Sequence, residues 1–179
     1  LSNATITIEP ESTTYNGKKQ GPKTVKATLP GEDPDNPIEL IEGTDFEVVT
    51  SAEPKNAGTI EYTIKGIEGG NYTGTSNTAA KYEIEKKPIS IVPSSSVTIE
   101  NKVYDGTNKF KLSGVKLSGV EGDDNVEIAS GSVSGSDVGS YSEISFDGSD
   151  LAGDSSSNYT LEEGGKITLS TPVEITPRT

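Results

Sequence analysis

The order of residues predicts an all-β chain of two modules in tandem, each a sandwich or barrel of short strands. Three observations carry that reading. Apolar and polar residues alternate at a period of two throughout, turn-forming clusters separate the alternating runs, and four short landmarks recur in the same order in the second half. Alternation places every second side chain on one face of a strand, so a small apolar supply can be concentrated on an inner surface. Leu, Ile, Val and Phe make up only about 21% of the 179 residues, near the ~20% below which charged chains tend to stay disordered. Pattern rather than quantity therefore decides that this chain folds.

In chain order, the alternating runs of the first half are residues 5–8, 25–27, 46–48, 60–64 and 82–84. Those of the second half are residues 89–91, 97–99, 110–112, 126–128, 144–146, 167–169 and 173–175. No window has the 3.6-residue period of an amphipathic helix. Gly, Pro, Asn, Asp and Ser between the runs supply positive φ, fixed φ or side-chain-to-backbone bonds at turns.

The recurrence sets the number of modules. Ile6-x-Ile8-x-Pro10 returns as Ile89-x-Ile91-x-Pro93, and Tyr15-Asn16-Gly17 as Tyr104-Asp105-Gly106. Asn56-Ala57-Gly58 returns as Asp137-Val138-Gly139, and Asn71-Tyr72-Thr73 as Asn158-Tyr159-Thr160. The offsets of 83, 89, 81 and 87 residues fit two related modules whose loops differ in length. The boundary falls at Lys86-Lys87-Pro88, giving modules 1–87 and 88–179 with net charges of −5 and −8. A short connection ending in Pro predicts limited bending between two modules placed end to end.

Composition excludes whole classes of chemistry. The chain has no His, Cys, Met or Trp, which removes thiol nucleophiles, disulfides, imidazole acid-base catalysis and soft-metal sites. A formal net charge of −13 disfavours nucleic acid, whose binding depends on clustered Lys and Arg. No apolar run approaches the ~18 residues of a membrane span, so no membrane insertion is expected.

The landmarks read as structural turn and core positions. Asn16-Gly17 and Asp105-Gly106 suit the left-handed conformations of tight hairpin turns, and Tyr15 and Tyr104 can bury a ring while keeping the hydroxyl bonded. Outward-facing rings would instead make a sugar-binding platform. Gly58 and Gly139 mark turns leading into strands, and Asn71-Tyr72 and Asn158-Tyr159 read as turns with a buried Tyr rather than glycan acceptors. Asp123, Asp124 and Asn125, and likewise Asp147, Asp150 and Asp154, form oxygen-rich sets that could attract calcium, although their spacing fits no EF-hand. No catalytic residue and no cofactor are expected: the serines lack an activating base, and no carboxylate pair stands out from 28 acids.

The second half resembles the YDG domain of bacterial surface proteins, through Lys102-Val103-Tyr104-Asp105-Gly106-Thr107, Leu117-Ser118-Gly119-Val120, Gly122-Asp123-Asp124, Asp137-Val138-Gly139 and Asn158-Tyr159-Thr160-Leu161. The first half resembles the MBG-type bacterial immunoglobulin-like repeat, through Thr14-Tyr15-Asn16-Gly17, Gly43-Thr44-Asp45-Phe46, Asn56-Ala57-Gly58 and Gly70-Asn71-Tyr72-Thr73-Gly74, with Phe46 where that pattern leads one to expect Tyr. The resemblance implies two tandem immunoglobulin-like β-sandwich modules, with β-grasp-like modules as the alternative if a helix crosses the sheet. It also implies a non-catalytic, extracellular segment of a cell-surface or secreted adhesin-like protein, acting as stalk, spacer or adhesion segment. Its partners would be host glycans or matrix proteins and neighbouring repeats of the same chain; a carbohydrate-binding module is the competing function.

Overall fold

The alternating runs become strands, and no α-helix interrupts them. The computed structural model describes all residues, Leu1–Thr179, as eighteen strands and two short 3-10 turns. The chain divides into two units, Leu1–Lys86 and Lys87–Thr179. The crossing helix that a β-grasp arrangement requires is absent from both.

The first unit contains β1 (Thr5–Glu9), β2 (Ser12–Thr14), β3 (Thr24–Leu29), β4 (Ile38–Leu40), β5 (Phe46–Thr50), β6 (Gly58–Gly66) and β7 (Ala80–Glu85). They form two sheets, ordered β1-β3-β4 and β2-β7-β6-β5. All pairings are antiparallel except β2 against β7. Along β6 the alternation is realised residue by residue, with Ile60, Tyr62 and Ile64 buried and Thr59 and Glu61 exposed. Ala27 and Leu40 of the first sheet meet Phe46 and Ile64 of the second in one cluster, which Ile6, Val25, Val48 and Tyr72 flank. Burying a large apolar side chain stabilises by roughly 1.5–3 kcal/mol. Phe46 is fully buried, where a Tyr hydroxyl would need a partner.

The second unit contains β8 (Lys87–Ile91), β9 (Thr98–Ile99), β10 (Lys102–Val103), β11 (Lys109–Ser113), β12 (Leu117–Ser118), β13 (Glu127–Ile128), β14 (Ser130–Ser132), β15 (Gly139–Ser145), β16 (Leu151–Ala152), β17 (Tyr159–Leu161) and β18 (Lys166–Thr176). Its sheets are ordered β10-β18-β15-β14-β11-β9, β12-β8-β17 and β13-β16. The sequence runs 167–169 and 173–175 belong to one strand, β18. Its register against β15 jumps between Thr168↔Glu143 and Val173↔Tyr141. Pro172 lies in that interval and has no N–H to give to a ladder.

The equivalence of the units reaches the register. Ile8 pairs with Val25 and its counterpart Ile91 with Leu117; Gly58 pairs with Ile84 and its counterpart Gly139 with Ile175.

Candidate functional site

Two of the landmarks converge on the end of each unit's last strand. In the first unit β2 runs parallel to β7, and the Tyr15 N–H donates to the Glu85 carbonyl at 2.9 Å. Asn16 and Gly17 follow, with the Asn16 Oδ1 accepting from the Lys18 N–H at 2.9 Å and Gly17 at φ 76°. Gly58 lies on the opposite side of β7, beside Ile84. The second unit repeats this. β10 runs parallel to β18, the Tyr104 N–H donates to Thr176 O at 2.8 Å, Asp105 Oδ1 accepts from the Thr107 N–H at 2.9 Å, and Gly106 has φ 80°. Gly139 again sits across the last strand, beside Ile175.

These dipeptides are therefore not hairpin turns, as the sequence suggested. Each follows a strand that pairs in parallel with the last strand of its unit, and a parallel neighbour cannot be reached through a two-residue hairpin. The left-handed glycine is still required, because the chain must bend sharply away once the Asx side chain has closed the turn.

What fastens the turn differs. In the first unit Gln20 Nε2 donates to Thr13 Oγ1 at 3.1 Å and to Thr14 O at 3.0 Å, while its buried Oε1 meets no donor. Thr13 also bonds the Tyr82 hydroxyl, and Tyr82 stands edge-on to Tyr62 with centroids 6.1 Å apart. Burial pushes both phenols above their ordinary range. In the second unit the Lys102 ammonium donates to Asp105 Oδ1 at 2.9 Å and to Thr107 O, Thr107 Oγ1 and Lys109 O at 2.8 Å each. It also stands 4.9 Å over the Phe110 ring. Bonds from Lys102 and Thr107 hold the Asp105 carboxyl down to about 2.

A second polar cluster lies next along the chain. Asp150, only 1% exposed, accepts from Lys109 Nζ and Ser130 Oγ at 2.6 Å each through Oδ1, and from the Asp147 N–H at 2.9 Å through Oδ2. Asp147 caps the short 3-10 turn Gly148–Asp150, and its carboxyl is lowered by bonds from Ser149. These contacts occupy Asp147 and Asp150, two of the acids that the sequence grouped for calcium. Asp124 accepts instead from the Tyr159 hydroxyl, Asp154 is exposed in a loop, and no three carboxylates converge.

The Asn-Tyr-Thr landmark forms no part of these turns. Tyr159 and Asn158 are buried; Tyr159 starts β17, pairs with Lys87 of β8, and accepts from the Glu121 N–H at 2.9 Å. Tyr72 packs against the first unit's core and Asn71 is exposed. Tyr15 is 3% exposed and Tyr104 is 39% exposed. Sequence reasoning did not single out Lys109, Ser130 or Gln20, and it named Lys102 within the YDG resemblance without giving it a role. The Asp147-x-x-Asp150 spacing is the one signal that could have found the capped turn.

Family models match both halves: the MBG domain over residues 2–86 and the YDG domain over residues 85–166. Searches of curated proteins and of solved structures found no match. The chain joins an MBG domain to a YDG domain.

Proposed function

We propose that this pair is a non-catalytic segment of a bacterial cell-surface or secreted adhesin-like protein, working as a stalk or spacer and able to present an adhesive surface. In this reading each domain is an immunoglobulin-like sandwich, needs no cofactor, and contacts neighbouring repeats of its own chain. MBG and YDG domains occur in surface-type repeat proteins, which supplies the setting.

The observation that carries the proposal is where the aromatic rings go. All three Phe and four of the seven Tyr are buried, Tyr72 and Tyr141 are half-buried, and Tyr104 is the one exposed ring. A sugar platform stacks a ligand on solvent-facing aromatics, so the carbohydrate-binding alternative rests on Tyr104 alone. The one buried carboxylate, Asp150, is saturated by donors from its own domain, which suits a fastener rather than a general base. A glycan array probed with the two-domain chain is expected to stay silent. Specific glycan binding that is lost in Tyr104→Ala would overturn the spacer reading in favour of a carbohydrate-binding module.

A further inference from the structure

The three large apolar residues exposed in the MBG domain, Ile38, Ile41 and Val49, all lie on or beside β4 and β5. These are the edge strands of its two sheets. A tight corner joins them: Asp45 Oδ2 accepts from the Ile41 N–H at 2.8 Å, and Glu42 bridges to Phe46. The two edges thus form one margin of the domain, and its only large exposed side chains without charge are apolar.

The pairing pattern fixes which backbone groups that margin offers. On β6, Ile64 directs its N–H and C=O to Ser76, away from β5. Backbone direction alternates along an antiparallel ladder, so Glu47 and Val49 bond to β6 while Val48 and Thr50 turn their N–H and C=O outward. Consistent with this, Ser51 and Glu61 exchange bonds, and the Thr63 hydroxyl reaches Val49 O. The outward groups of Val48 and Thr50 have no partner, and they recur at the two-residue spacing that an added strand uses.

Charge selects the occupant. Residues 32–45 contain Glu32, Asp33, Asp35, Glu39, Glu42 and Asp45 and no Lys or Arg, and the first five are exposed. A second copy would bring the same acidic margin and a further net charge of −13 against it. We infer that this margin receives an extended, Lys- or Arg-bearing segment of a partner protein, added as a strand along β5 with its apolar residues turned inward against Ile38 and Ile41. The inference goes beyond the stalk reading, since a stalk needs no such partner.

The test uses the whole chain and two labelled nine-residue peptides, one alternating Lys with Val and the other Glu with Val, in fluorescence anisotropy at physiological salt. The Lys-Val peptide is expected to bind and the Glu-Val peptide to stay free. Ile38→Ser combined with Ile41→Ser, which leaves the net charge unchanged, should weaken binding at least tenfold, whereas Val103→Ser combined with Val138→Ser should not. Hydrogen exchange on the unmutated chain with the Lys-Val peptide should show new protection at the Val48 and Thr50 amides, a readout independent of how any variant folds. The inference is overturned by absence of binding, by equal binding of both peptides, by indifference to the serine substitutions, or by protection elsewhere. Self-association that protects Val48 and Thr50 without peptide would also overturn it, by making a second copy the occupant.

Discussion

The MBG turn at Tyr15-Asn16-Gly17 and the YDG turn at Tyr104-Asp105-Gly106 have the same backbone course and opposite chemistry. In the first, a neutral Asn is backed by the neutral amide of Gln20. In the second, an Asp is backed by the ammonium of Lys102, whose side chain is only 17% exposed and which also caps two carbonyls of the following segment. The interiors differ by one ionic group. Each domain buries a hydroxyl that accepts from a backbone N–H, Ser76 from Ile64 and Ser95 from Lys116, and the YDG domain alone adds a buried carboxylate, Asp150, with Lys109 against it. One framework thus tolerates neutral or ionic fasteners at its closing strand, provided each charge arrives with its partner. Removing one member of an ionic pair should therefore cost more than removing a neutral fastener.

The largest effect is expected at Asp150. Asp150→Ala leaves the Lys109 ammonium, the Ser130 hydroxyl and the Asp147 N–H without their acceptor and should destabilise the YDG domain by about 3 kcal/mol, the low end for a broken buried pair because Lys109 is partly exposed. In the MBG domain, Ser76→Ala should cost about 1 kcal/mol. Urea titrations followed through amide resonances of each domain check both; equal losses would erase the contrast.

Lys102→Met comes next, at about 2 kcal/mol, because Asp105 and the carbonyls of Thr107 and Lys109 lose a shared donor. Gly17→Ala and Gly106→Ala should each cost about 1 kcal/mol, and by similar amounts, since both glycines sit at positive φ. A large inequality in the same titrations would show that the two turns are not equivalent. Gln20→Met should fall within about 0.5 kcal/mol, since the lost bonds are offset by removal of an unsatisfied buried carbonyl.

Acid should separate the domains in the same sense. The Asp105 carboxyl is depressed in the folded state, so its contribution is fully present above the ordinary value of 3.8 and is lost as pH falls through about 2. Asn16 does not titrate. Amide exchange measured from pH 4 down to pH 2 should show the turn at 104–107 opening while the turn at 15–18 keeps its protection, and Lys102→Met should abolish most of that pH dependence.

Much of this framework was legible in the sequence. Period two located β1, β6, β7 and β11, because their inward residues are large and apolar and their outward ones polar. The strands it missed, β2, β10, β14 and β17 among them, are two or three residues long. Ser12-Thr13-Thr14 and Ser130-Gly131-Ser132 carry no apolar alternation; they are strands because a neighbour supplies the ladder. The landmarks told that the halves correspond but not what the turns join, since parallel pairing with a strand some 70 residues later leaves no local pattern. Lys102 was equally silent. A lysine two residues before a Tyr reads as a solvated charge until the fold brings Thr107, Lys109 and Phe110 around it.

The claim that the two domains close the same turn with different chemistry is tested most directly by native-state hydrogen exchange on the intact chain carrying Lys102→Met, compared with the unmutated chain. Protection should fall at the amides of Tyr104 and Thr107 and along the end of β18, with the amides of Tyr15, Lys18 and β7 unchanged. Loss in both domains, or in neither, would contradict it.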